Sequence, residues 1–373
     1  MKCIEIIKYL EHWAPKETAW EKDNVGLQVG SAEREIKNIF LCLDVTLSAV
    51  DEAVRKSCSL IISHHPLLFN PLKRISTDGD TRSQIIEKLI KNDITLYSVH
   101  TNLDYTKNGV SFRLAKQLKL KNIDFLSRLA SNQVKLVVFV PEEFIGKVSD
   151  AIFSAGGGSI GEYSNCSFRI PGKGTFRGSE KTNPAAGAKG VFEKVDEVRL
   201  EVLVDSWKLK HVLAEMLKVH PYEEPAYDIY PLNNENVNYG AGAVGTLEPP
   251  MNIEDFLAYV TGNLKLKNFR YTGGSKRKIK MVAVCGGSGS EYLKDALKAG
   301  ADAYITADIK YHTFQDAEEN ILLIDAGHYE TEIFAMDELR ERLTPLINKQ
   351  IKIFNYTKTT NPVKFFITKK ENG

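Results

Sequence analysis

Disulfide cross-links are the first thing this chain is poorly equipped to make. Its 373 residues hold five cysteines, at positions 3, 42, 58, 166 and 285, an odd number whose nearest members, Cys42 and Cys58, are 16 residues apart. That spacing fits reduced core thiols better than a disulfide framework or a zinc ribbon. Charge of one sign is also lacking: 49 Lys plus Arg stand against 48 Asp plus Glu, a formal net charge of +1. Without a long-range field, a polyanion would need a local patch, so nucleic acid is not the expected partner. The basic run at residues 275–280 reads most simply as a solvated strand entry. No stretch approaches the roughly 20 apolar residues that span a bilayer, and Glu5 and Glu11 interrupt the apolar start, unlike a secretory signal. The expected location is the cytoplasm, with no membrane partner.

What is present is α/β patterning on a chain long enough for two or three domains at about 100 to 200 residues each. Ile4, Ile6, Ile7, Leu10 and Trp13 mark an amphipathic opening helix, and the nearly continuous apolar run at 38–45 reads as a buried strand of a parallel sheet. Helices follow at 47–56, 82–92 and 110–118, and strands at 59–63 and 94–99. From residue 132 the pattern becomes strand 134–140, helix 142–155, strands 165–170 and 197–204, helix 208–219 and strand 226–230. That β-α-β-β-α-β order is the ferredoxin-like split unit, with residues 172–190 expected as a long loop. After an Asn- and Gly-rich stretch at 233–245, read as a linker or turn, the α/β pattern returns to the end. The expected architecture is a discontinuous three-layer α/β domain, 1–130 and 235–373, with an inserted α+β domain at 131–234.

Ligands of open α/β sheets gather at the carboxyl ends of strands, and three such ends carry metal-type side chains. His64 and His65 follow the strand 59–63, His100 and Asp104 follow 94–99, and His328 and Glu332 follow 321–325, four residues apart on an expected helix and so on one face. Four of the eight histidines thus fall at strand ends of what reads as one sheet. Five candidate ligands, His64, His65, Asp104, His328 and Glu332, exceed the protein ligands of one zinc and include no thiolate, so two divalent metals are the better fit. Their shells would need water or substrate to be complete, as in a catalytic site. Zinc is the first expectation, and imidazole with carboxylate also suits Fe, Mn, Co or Ni.

Other strand-end residues have two readings each. Gly286, Gly287, Ser288 and Gly289 form either a phosphate-binding nest or a plain turn. His312 is either an acid or base near the metals or a surface helix-cap residue. His100 is expected behind the ligands rather than among them, and Asp44 is either such a supporting group or the N-cap of the next helix.

DNVGLQVG (23–30), SHHPLLF (63–69), HTNLD (100–104), CGGSGS (285–290) and GHYETE (327–332) together resemble the GTP cyclohydrolase 1 type 2 homologue family, also called Nif-three-like. The resemblance implies dinuclear metal ligation by the same five residues and a toroidal homohexamer. It also implies a middle segment similar to the PII and CutA-like trimeric domains of the longer bacterial members. Two functions stay open: a two-metal hydrolase acting on a nucleotide-like small molecule, as in GTP cyclohydrolase-like ring opening, or a non-catalytic assembly that handles metal or senses a small ligand.

Overall fold

The computed structural model describes residues 1–273 and 278–366; the basic run lies partly outside the described residues, at 275–277. Two compact units divide the chain, one made of 1–127 with 239–373 and the other of 128–238. All five cysteines are free, and only Cys166 is not buried. No described helix is long and apolar enough to cross a membrane.

The first unit holds two sheets where the sequence suggested one. In the first sheet the order is Gly26–Val29, Thr95–Ser98, Leu60–Ser63, Ile39–Cys42 and Ile353–Asn355. Its last four strands are parallel, whereas Gly26–Val29, not foreseen as a strand, adds an antiparallel edge. Leu60–Ser63 is buried throughout because both faces are covered. Ile39, Leu41, Leu60 and Ile62 pack against the opening helix Cys3–Trp13 and the late helix Ala335–Leu343. Phe40 and Ile61, one residue out of step, face the helices Leu47–Arg55 and Thr81–Lys91.

The second sheet runs Arg270–Tyr271, Leu322–Asp325, Ala303–Ala307, Ile279–Ser288, Glu235–Met251 and Lys121–Ala130. Its three central strands among 279–325 are joined by two parallel ladders, so His328 leaves a different sheet from His64 and His100. Strand order along a chain does not reveal which strands share a ladder. Glu235–Met251 also corrects the reading of 233–245 as a linker. The glycines serve close approach: a Cβ on Gly240 would lie 2.6 Å from the Ser127 carbonyl oxygen and 2.8 Å from the Phe125 ring.

The second unit has antiparallel strands in the order Phe168–Arg177, Phe192–Asp205, Gln133–Pro141 and Tyr227–Leu232. With helices Ile145–Ser154 and Leu209–Val219 it forms the β-α-β-β-α-β order. Val134, Leu136, Val138 and Val140 alternate onto one face with Leu200, Val202 and Val204, and meet Val148, Ile152, Val212 and Met216 of the helices. The expected loop at 172–190 is shorter than its composition suggests, since Gly172 to Arg177 pair in register with Phe192 to Glu197.

Candidate metal centre

Backbone hydrogen bonds carry the ladder past the end of Leu60–Ser63: the amides of His64 and His65 donate to the carbonyls of Cys42 and Leu43 at 3.2 and 2.9 Å. The Ser63 hydroxyl donates to the His65 carbonyl at 2.9 Å and lies 2.8 Å from Ser98 Oγ. Two adjacent imidazoles are thereby held at the sheet edge. After Thr95–Ser98 the chain makes a single turn, Thr101–Asp104, in which the amides of Leu103 and Asp104 donate to the His100 carbonyl. This turn is pinned by Asn102, whose buried Nδ2 donates to the Ala14 carbonyl at 2.7 Å. Beyond the second sheet, the short helix His328–Glu332 sets His328 Nε2 3.1 Å from Glu332 Oε1.

These segments converge on Glu332, which is only 3% exposed. His65 Nε2 lies 3.0 Å from Glu332 Oε2 without hydrogen-bond alignment, and His64 Nε2 is 3.7 Å from both Glu332 Oε1 and Asp104 Oδ1. Every imidazole is tethered through Nδ1. His64 donates to the Val99 carbonyl at 2.8 Å, His65 to Asp44 at 2.7 Å, His328 to Asp308 at 2.6 Å and His100 to Asp23 at 2.9 Å. A carbonyl only accepts, so Nδ1 of His64 carries the proton and its Nε2 presents a lone pair to the centre. Metal-ligating histidines are oriented in this manner.

Burial and charge act together on these groups. Burial opposes the charge on Glu332, but the imidazoles of His64, His328 and His65 hold its carboxyl well below the usual range. Burial, then the Glu332 charge, pushes Asp104 well above its own. Burial pushes the His64 imidazole below its usual range. For His65 burial is outweighed by Asp44 and Glu332, which raise it to about 10, and for His328 by Glu332 and Asp308, which raise it to about 9.

The donor set fits a cation. Buried polar side-chain atoms are normally paired, yet His64 Nε2, Asp104 Oδ1 and Glu332 Oε2 are three of the six buried atoms without a hydrogen-bond partner among the described residues. Ring nitrogens of His64, His65 and His100 lie within 4.8 Å of one another, as do ligand atoms of His65, His328 and Glu332. A cation entering here competes with the protons of His65 and His328. Both groups are raised above 6.5, so their protons favour the metal-free fold most fully below about pH 6.5, and that advantage is lost as pH rises through 9 to 10. Metal uptake at pH 7.5 is expected to release at least these two protons. Calorimetry in buffers of different ionisation enthalpy measures this, and uptake without proton release would contradict the assignment.

The structure brings His64, His65, Asp104, His328 and Glu332 together. It places His100 beside them rather than behind, while Asp44 supports His65 and itself accepts from Thr360 Oγ1 at 2.5 Å. His312 is not brought in: it is exposed at the start of helix Tyr311–Ala317 and bonds Gln315 at 3.0 Å. The glycine-rich segment is not a free nest either. Gly286 to Ser288 continue the strand, and the amides of Gly286, Gly287 and Gly289 already donate to Ser111, Thr331 and Thr306 hydroxyls at 3.2, 3.0 and 2.9 Å. Ser288 lines the cleft instead. Sequence reasoning missed Asp23 and Asp308. The usable signal for Asp308 was its place after a strand, the same position that Asp44 holds, and for Asp23 its place in DNVGLQVG.

This is a mixed α/β unit whose strand ends gather Nδ1-tethered imidazoles and buried carboxylates that could hold a metal ion. The chain belongs to the Duf34/NIF3 (NGG1p interacting factor 3) family, whose model matches residues 1–362. It is 41% identical over 344 residues to the GTP cyclohydrolase 1 type 2 homolog of Halalkalibacterium halodurans, covering 92% of each chain. To the homolog of Bacillus subtilis it is 40% identical, covering 97% of this chain and 98% of the other. Among solved structures, a Bacillus cereus protein related to NIF3 matches with a TM-score of 0.83 at 38% identity, covering 98% of this chain and 99% of that one. Staphylococcus aureus protein SA1388 matches with a TM-score of 0.76 at 32% identity and the same coverage.

Proposed function

We propose that the cluster binds two divalent cations and that the chain is a metal-dependent hydrolase acting on a nucleotide-like heterocycle. His64, His65, Asp104, His328 and Glu332 would hold the ions, zinc foremost, with Fe, Mn, Co and Ni suited to the same donors. The observation that carries the reading is the common tethering of the imidazoles through Nδ1, which turns each Nε2 toward one centre. Glu332 supports a pair of ions because its two oxygens face different histidines, Oε1 toward His328 and Oε2 toward His65. Bound divalent cations supply Lewis acidity and lower the pKa of water to near neutrality. The chain supplies orientation: Asp23 fixes the ring of His100, which lines the cleft beside the cluster and is placed to hold or pass a proton at the substrate. His312 has no part in it.

The hydrolytic reading draws on the name shared by the relatives, GTP cyclohydrolase 1 type 2 homolog. Metal-loaded protein is expected to release formate from at least one member of a panel of purine bases, nucleosides and nucleotides; silence across the panel would contradict it. We also read the second unit as a PII/CutA-like module and the assembly as a toroidal homohexamer. The exposed Phe168 and Phe192 of that unit support self-association. Light scattering should return six chains of 41.8 kDa, and a monomer would contradict this.

A further inference from the structure

The cleft next to the cluster has walls that metal ligation does not use. Trp20, 53% exposed, and Phe69, 39% exposed, line it together with His100, Asp104 and Glu332. Large apolar rings gain most from burial, so two of them left open over a polar centre call for an occupant. Both are held in place by one short segment, the DNVGLQVG motif. The Trp20 amide donates to Thr101 Oγ1 at 2.9 Å, and that hydroxyl donates to Asp23, the same carboxylate that accepts from His100. The Asp23 amide closes a turn on the Trp20 carbonyl at 2.8 Å. One residue before Phe69, the Leu68 carbonyl accepts from Asn24 Nδ2 at 2.6 Å and the Leu68 amide donates to Gln28 Oε1 at 3.1 Å. The Phe69 ring stands edge-on to His100, with centroids 6.3 Å apart at 85°. Asp23, through Thr101, therefore anchors the backbone at Trp20, and Asn24 and Gln28 anchor the backbone beside Phe69.

Charge narrows the occupant further. The carboxylates of Asp104, Glu291 and Glu332 line the cleft, and among its described lining residues there is no Lys or Arg. The amides that might cradle phosphate are taken by Ser111, Thr331 and Thr306. Apart from the cations and the imidazoles of His100 and His328, the described lining offers a triphosphate no basic side chain. Its volume, about 350 Å³, is at the small end of ligand pockets.

We propose that this cleft binds an uncharged purine, as free base or nucleoside, stacked on Trp20 and Phe69, in preference to the phosphorylated form. The proposal rests on the hydrolase reading of the same site and names its substrate class. The test is binding by the full-length, metal-loaded protein, read by tryptophan emission and by equilibrium dialysis of labelled guanosine, with GTP as the competitor. Guanosine is expected to quench emission saturably and GTP to bind at least about tenfold more weakly, given the stacking and the absent phosphate contacts. Trp20→Leu and Phe69→Ala should each weaken guanosine binding roughly 5- to 150-fold while metal content per chain stays at the wild-type level. Trp20→Phe should recover part of the loss. GTP binding as tight as guanosine, an absence of quenching, or wild-type affinity in Trp20→Leu would each overturn the proposal. Because the readout is binding, a protein that holds guanosine while the whole purine panel stays unreacted would contradict the hydrolase reading and leave this one standing.

Discussion

Replacing Glu332 with glutamine is expected to empty the cluster of metal. The substitution keeps the size of a buried side chain and removes the one charge on which His64, His65 and His328 converge. With the carboxylate gone, only Asp44 and Asp308 are left to offset the proximity of two imidazoles that Glu332 helps raise to about 10 and about 9, and the cations would lose a carboxylate ligand. The affinity loss should exceed the 10–100-fold typical of residues that merely support a ligand. Metal analysis after desalting measures it. Retention of wild-type metal content in Glu332→Gln would mean that the ions, if bound, lie elsewhere.

Gly287→Ala should damage the same centre without touching a ligand. Gly287 has φ +61°, and a Cβ there would lie 2.2 Å from Glu332 Oε1 and 3.3 Å from His328 Cε1. Two penalties arise, a left-handed backbone that L residues rarely adopt and a displaced carboxylate. Together they are expected to cost about 1–3 kcal/mol of stability and to lower metal affinity sharply. Gly300→Ala separates the two effects, since Gly300 has φ +71° with nothing within 4 Å of its Cβ. The control should lose stability and keep its metal; equal metal content in the two variants would show that Gly287 does not shape the cluster.

The parts of the site that could be read from sequence are those encoded locally. His64 and His65 directly follow an apolar strand, and His328 and Glu332 share a helical face through a four-residue spacing, so position along the chain placed them correctly at strand ends. What sequence did not reveal depends on pairing and on hydrogen bonds already spent. Residues 233–245 look like a linker because Asn and Gly favour turns, but Gly240 is needed where a strand passes against Ser127 and Phe125. The CGGSGS amides look available until Ser111, Thr331 and Thr306, distant in sequence, are seen to occupy them. His312 follows a strand as His64 does, yet its helix turns it to solvent, while Asp308, four residues earlier, reaches His328. One sheet was expected and two were found, because similar apolar strands carry no mark of their partners.

The central claim is that two divalent cations sit among His64, His65, Asp104, His328 and Glu332. Anomalous diffraction from crystals of the metal-loaded protein, recorded on either side of the metal absorption edge, tests it most directly. The account predicts two peaks per chain, both within bonding distance of these side chains and sharing Glu332 between them. A single peak, or peaks bound by residues outside this set, would contradict it.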